Sequence, residues 1–155
     1  MVSKFSRVFV LFAALAVVLA VASPAMAQDA RVTVSSQKSF DQTVSQLKSN
    51  VSQGGMMIMA TVDQGNMLSM TGLKLRATLF LVGNPMVGKK LFEQNHGVGL
   101  YVPLRVFVFE GTDGKTYLSY DKPSAVLSQF KNEEINKTAA MLDQKLDGLA
   151  QMSTH

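Results

Sequence analysis

Methionine thioethers are the most concentrated reactive side chains in this sequence. Five of the ten methionines fall between residues 54 and 72, a segment without cysteine or histidine. Met57 and Met59 would share one face of a strand, and Met67 and Met70, three positions apart, one face of a short helix. Thioethers bind copper(I), so one hypothesis is a copper(I) site formed by these four residues. We favour packing instead, because methionine fills irregular gaps and adaptable binding surfaces and no histidine stands beside the cluster.

Histidine is the other residue type here that commonly performs acid–base catalysis. His96 lies in a segment bounded by glycines, and His155 is the last residue of the sequence. A general base needs a reacting group or an orienting carboxylate within reach, and none stands at a recognisable spacing from His96. An enzyme with His96 in its site therefore remains an alternative hypothesis. We assign no catalytic residue.

The first 27 residues have the three-part pattern of an export signal. Two basic residues precede an apolar run over residues 8–22, and a small-residue cleavage site follows at residues 25–27. A spanning helix needs about 20 apolar residues, and the run over residues 8–22 is shorter. We therefore expect cleavage between Ala27 and Gln28 and no stable membrane insertion afterwards. The mature chain would then be periplasmic or secreted. Its lack of cysteine excludes disulfides and thiol chemistry, so the apolar core must supply its stability.

Nucleotide and nucleic-acid binding lack their usual signals. The spacing of glycine and lysine over residues 83–90 is similar to that of a phosphate-binding loop. However, Lys90 stands where a serine or threonine hydroxyl would bind magnesium, and Pro85 removes a backbone N–H donor. The whole chain has a net charge of +4, and loss of Lys4 and Arg7 with the signal lowers it to +2. Because no basic stripe with interleaved aromatic residues appears, we expect no nucleic-acid partner.

The segments that would position these side chains alternate between strands and helices. Strands are predicted over residues 31–35, 56–62, 78–82, 105–110 and 115–120, the last two joined at the hairpin signal Asp113-Gly114. A capping box at Ser39 and Gln42 begins a helix that ends near Gly54, and Pro85 begins another. The last helix has apolar residues at alternating spacings of four and three, as in a coiled coil. Because this pattern spans barely two heptads, we favour packing on a sheet over a coiled coil; the residues are Ile135, Ala139, Leu142, Leu146 and Leu149.

This order predicts an α+β fold, with a mostly antiparallel sheet of about five strands and helices mainly on one face. Such a sheet normally has a polar second face, yet residues 56–62, 78–82 and 105–110 are apolar on both faces and predict central strands. A second subunit, a ligand or the C-terminal helix must therefore cover that face.

The leading hypothesis follows from the free energy that the chain would lose if the second face of the sheet stayed in water. Burial of one large apolar side chain contributes about 1.5–3 kcal/mol, so four in water forfeit roughly 6–12 kcal/mol, which matches the stability of a whole domain. We therefore predict a non-enzymatic domain that forms a homodimer or binds an apolar small molecule. Its predicted lining residues are Met57, Met59, Phe107 and Phe109.

Three motifs follow one another along the second half of the chain. They are Gly83-Asn84-Pro85-x-x-Gly88, Gly99-Leu100-x-x-Pro103-Leu104-Arg105 and Tyr120-x-x-Pro123. Together with the capping-box helix, these motifs resemble the bacterial domain-of-unknown-function 302 family over about residues 31–130. The resemblance implies a compact α+β fold classed with TATA-binding-protein-like sheets, usually a dimer, and no established activity.

Two features depart from the family pattern. Many members carry a histidine after the aspartate that closes the second strand, whereas this chain has Asp63-Gln64, so no role of that histidine carries over. The helix beyond Glu133 resembles an addition to the common domain. The predicted organisation is a signal peptide at residues 1–27, the family domain at residues 28–130 and a C-terminal helical extension at residues 131–155.

Overall fold

The computed structural model describes residues 30–155, so the predicted export signal at residues 1–27 lies outside the described residues. No helix within residues 30–155 is long and apolar enough to cross a membrane. Two short 3-10 helices, His96–Leu100 and Ser128–Phe130, accompany the main elements. Those elements are β1 (Arg31–Ser35), α1 (Phe40–Gln53), β2 (Met57–Asp63), α2 (Gln64–Ser69), β3 (Ala77–Gly83), α3 (Pro85–Gln94), β4 (Leu104–Glu110), β5 (Thr116–Asp121), α4 (Pro123–Leu127) and α5 (Glu133–Thr154).

The five strands form one antiparallel sheet in the order β1-β5-β4-β3-β2. This confirms the predicted α+β fold with a five-stranded antiparallel sheet. The β4–β5 hairpin turns where Asp113-Gly114 predicted it, and Gly114 has the positive φ of 74° that such turns favour in glycine.

The prediction that β2 is a central strand is wrong. Among the described strands β2 pairs with β3 alone and lies at the edge of the sheet, where a β-bulge interrupts the register between Ile58 and Ala60. Met57 and Met59 are exposed. The apolar sequence of a strand reports how hydrophobic its side chains are but not how many strands flank it, and bulges are common at sheet edges.

One face of the sheet carries the core. Alternate residues of β3, β4 and β5 point toward the helices, among them Phe80, Val106 and Leu118, and each is at most 2% exposed. Leu47 and Val51 of α1 pack into the same cluster. The capping box at the start of α1 is present as predicted.

The long helix α5 packs on the same side of the sheet as α1. All five residues of its predicted apolar stripe are buried within this core, which confirms helix-on-sheet packing. Its end is held by the backbone N–H of Gln37, which donates to the Thr154 carbonyl at 2.8 Å. α5 therefore does not cover the opposite face of the sheet.

Candidate functional site

The candidate site is the sheet face opposite the helices, which we call the open face. Strand pairing arranges its side chains in rows. Arg31 lies opposite Asp121, and Arg105 opposite Leu81. The next row contains Thr33, Ser119, Phe107, Leu79 and Val62, and the row after it contains Ser35, Tyr117, Phe109 and Ala77.

Aromatic rings form the centre of the open face. The Phe107 and Phe109 rings stack with centroids 5.0 Å apart, and the Tyr117 ring lies 5.4 Å from that of Phe109. These three rings and the neighbouring Leu79 and Leu81 are half-buried, and none belongs to the helix-side core. The rings therefore shield one another while leaving an apolar surface in contact with solvent.

A shallow cleft of about 510 Å³ crosses this surface. Its apolar wall comes from β3 and β4, and its polar wall comes from β1 and β5. Gln64, at the position where the resemblance places a histidine in many family members, also faces the cleft. The lining residues are Arg31, Thr33, Gln64, Leu79, Arg105, Phe107, Phe109, Ser119, Tyr120 and Asp121.

The charged groups of the cleft are unevenly paired. The Arg31 guanidinium donates to the Asp121 carboxylate at 2.9 Å, and this hydrogen bond raises the pKa of Arg31 further above its ordinary value. Arg105 is exposed and makes no ion pair with any residue from 30 to 155. The cleft therefore carries one positive charge that the described part of the chain does not neutralise.

The family motifs meet at a second, smaller cavity at the end of β3. This cavity of about 120 Å³ is lined by Gly83, Asn84, Pro85, Gly88, Pro103 and Leu104, together with Met56, Met59 and apolar residues of α3 and α5. Asn84 caps α3 by accepting hydrogen bonds from the backbone N–H groups of Met86 and Val87, and its amide donates to the Gly55 carbonyl at 2.8 Å. The first motif thus joins α3 to the turn before β2.

The remaining motif residues lie elsewhere. Tyr120 is buried beneath α5, where loss of solvent and the nearby Asp147 and Asp143 raise the pKa of its hydroxyl to about 12. Pro123 is buried at the start of α4. Arg105 lies on the open face, and its place beside an aromatic surface is a feature that sequence reasoning missed. Its alternation with Phe107 along β4 is the signal that would have revealed it.

The predicted lining residues fall at two places. Phe107 and Phe109 line the open-face cleft, whereas Met59 lies at the β2 bulge and lines the motif cavity. Met57 pairs with Gly83 at the end of the sheet and is 54% exposed. The structure therefore brings the two phenylalanines together but places both methionines at the edge.

The four methionines of the copper(I) hypothesis are not brought together. Met57 and Met59 lie at the beginning of β2, while Met67 and Met70 follow its other end, and Met70 is 84% exposed. Because a strand rises about 3.3 Å per residue, roughly 13–20 Å of strand separates each methionine of the first pair from Asp63, after which α2 begins. Four thioethers around one ion would require this arrangement to change.

His96 is exposed at the start of a 3-10 helix. It forms no ion pair with a carboxylate in the described part of the chain, and no group of three or more His, Cys, Asp or Glu side chains placed to hold a metal occurs among those residues. The neighbouring carboxylate that the enzymatic hypothesis requires is therefore not found beside it.

Curated proteins similar to this chain include two from Brucella. A protein named fluoride-specific ion channel FluC 1 from Brucella suis biovar 1 is 32% identical over 94 residues, which is 60% of this chain and 37% of that protein. FluC 1 of Brucella abortus biovar 1 shows the same identity over 35% of its length. This chain thus spans little more than a third of the relatives it matches.

A solved structure shares the fold. The crystal structure of an uncharacterized conserved DUF302 protein from Bacillus stearothermophilus superimposes with a TM-score of 0.74 at 19% identity, covering 81% of this chain and 98% of that one. The sequence pattern of the domain of unknown function DUF302 matches residues 32–152 and so includes nearly all of α5, the helix predicted as an extension. The resemblance carried by the three motifs is thereby confirmed, and the chain belongs to the DUF302 family.

Proposed function

We propose that this chain is a non-enzymatic binding domain whose open face is covered by an apolar partner, either a second copy of the chain or an apolar small molecule. One observation carries the proposal. The stacked rings of Phe107 and Phe109 and the side chain of Leu79 line a cleft on the sheet face that α1 and α5 leave uncovered. The chemistry of this surface suits burial, because it offers apolar area and few reactive groups.

The apolar area that remains accessible on the open face determines how much free energy an occupant would gain by covering it. Complete burial of a large apolar side chain contributes about 1.5–3 kcal/mol. Leu79, Leu81, Phe107 and Phe109 are each exposed by about a third at most, so an occupant would gain no more than roughly 2–4 kcal/mol from covering them. This gain is smaller than the value for four fully exposed side chains, and it allows a protomer to fold first and bind afterwards.

Size-exclusion chromatography with light scattering, followed by native mass spectrometry, tests the proposal. We expect either a dimer or a monomer that retains a small apolar molecule. Phe107→Ser should weaken dimerisation or retention, whereas Met141→Ser, which removes an exposed apolar side chain from α5, should not. A wild-type monomer without a bound molecule that also binds no apolar compound would refute the proposal.

Export forms part of the same proposal and rests on the N-terminal sequence pattern. We expect the mature chain to begin at Gln28 and to occur in the periplasm or the medium. Fractionation of cells that express the full chain, with mass measurement of the recovered protein, checks both expectations. A full-length protein that stays in the cytoplasm would contradict them.

A further inference from the structure

We propose that the open face binds an amphipathic anion, a small molecule whose apolar body lies on Phe107, Phe109 and Leu79 and whose carboxylate or similar head group pairs with Arg105. This inference rests on the proposed function, because it assigns a chemical class to the occupant of the same surface. It commits to one occupant, the anion, over a second copy of the chain.

The position of Arg105 supplies the first argument. Arg105 and Phe107 are two residues apart on β4 and therefore point to the same face, and both line the open-face cleft. Leu81 lies opposite Arg105, and Leu79 lies opposite Phe107. A cation thus stands at one end of a continuous apolar surface, which is the arrangement that an amphiphile with a charged head requires.

Charge supplies the second argument. Arg31 pairs with Asp121 through a 2.9 Å hydrogen bond, and no ion pair joins Asp121 to Arg105 within residues 30–155. The cleft then carries two guanidinium groups and one carboxylate. A second copy placed face to face would bring another excess positive charge to this surface, whereas an anion would neutralise the one present.

The neighbouring hydroxyl groups supply the third argument. The Ser119 hydroxyl donates to the Val32 carbonyl at 2.9 Å, and the Thr33 and Ser119 oxygens are 2.8 Å apart. A hydroxyl has one hydrogen, so Thr33 must donate to Ser119 and neither hydroxyl retains a hydrogen for a ligand. Of the two arginines in the cleft, Arg105 is the one without a carboxylate partner within residues 30–155, and its planar guanidinium can bind a carboxylate through two parallel hydrogen bonds.

The cleft also limits the shape of the ligand. From Arg105 to Phe109 the strand rises about 13 Å, which sets the length of an extended ligand that contacts both ends. The volume of about 510 Å³ lies within the range of small-molecule sites, roughly 300–1,000 Å³. A single unbranched or aromatic carboxylate fits these limits.

Isothermal titration of the mature chain with decanoate and with decanol, each below its aggregation concentration, tests the inference. We expect decanoate to bind at least tenfold more tightly than decanol. Arg105→Gln should remove this preference by weakening the binding of decanoate at least tenfold. Lys90→Gln removes one exposed positive charge from α3 and should preserve the preference. Circular dichroism of both variants confirms that each remains folded.

The other outcomes of this titration would contradict the anion assignment. Equal affinity for the two compounds, or a preference that survives Arg105→Gln, would overturn the anion assignment and leave the proposed function standing. A dimer that binds neither compound would overturn it in favour of a second copy. A monomer that binds neither would overturn the anion assignment, and if it also retains no molecule and binds no other apolar compound, it would overturn the proposed function as well.

Discussion

Two phenylalanines on adjacent strands provide a direct measurement of which sheet face is covered. Phe80 of β3 is fully buried under the helices, whereas Phe107 of β4 is half-buried on the open face. Each is replaced by alanine in a separate variant. Because the two residues have the same side chain in neighbouring strands of one sheet, the difference in their effects reports the environment of each face.

The structure sets the expected sizes of the two effects. Phe80→Ala leaves a cavity in a closed core, where phenylalanine truncation costs about 3–5 kcal/mol. Phe107→Ala removes a partly exposed ring, whose burial contributes about 1 kcal/mol, and one stacking contact, with Phe109, worth about 0.5–1.5 kcal/mol. We therefore expect Phe107→Ala to cost about 1.5–2.5 kcal/mol and Phe80→Ala roughly twice as much.

Urea unfolding followed by circular dichroism, at low protein concentration and after removal of bound small molecules, measures both free energies. The slope of the unfolding free energy against urea should remain unchanged, so that the midpoints report stability alone. A cost of 3 kcal/mol or more for Phe107→Ala under these conditions would show that the open face is already enclosed within one protomer. The proposed function would then lose its physical basis.

Two further predictions concern residues of the family motifs. Asn84→Ala removes the cap of α3 and the hydrogen bond to Gly55, so thermal unfolding should show a loss of about 1 kcal/mol. Asn84→Asp keeps the capping oxygen but replaces the amide donor to Gly55 by a second acceptor, so it should retain only part of that stability, and equal losses in the two variants would contradict the capping role. Burial raises the pKa of Tyr120 to about 12, above the value of about 10 of an unfolded tyrosine. As the pH rises, the unfolded chain therefore releases this proton before the folded chain does. The neutral hydroxyl contributes its full stability below pH 10, and this contribution is lost as the pH rises toward 12. Denaturant titrations between these pH values should show a smaller loss in Tyr120→Phe than in the wild type, and equal losses would contradict the assignment.

Local patterns in the sequence were sufficient for most of the secondary structure. The capping box at Ser39, the hairpin signal at Gly114 and the apolar stripe of α5 each act within a few residues, so their physical effects are visible without knowledge of the fold. The order of the elements then constrained the class to α+β. The three motifs were equally visible and led to the DUF302 family.

The arrangement of the strands could not be predicted in the same way. β2 has the composition of a central strand but lies at the edge, because the choice of neighbours depends on contacts between segments far apart in sequence. For the same reason the methionines separated into two groups along β2, while motif residues from β3, α3 and β4 converged on one small cavity.

The sequence by itself determined that three segments are apolar on both faces, and it predicted from this that part of their surface is covered. Only the tertiary structure decided which part. Strand register placed Phe107, Leu79 and Arg105, which has no ion pair within residues 30–155, on the same face, while α1 and α5 both packed against the other. Composition determines how much apolar surface a chain possesses, but long-range pairing determines which side chains share a face and which groups remain without a partner.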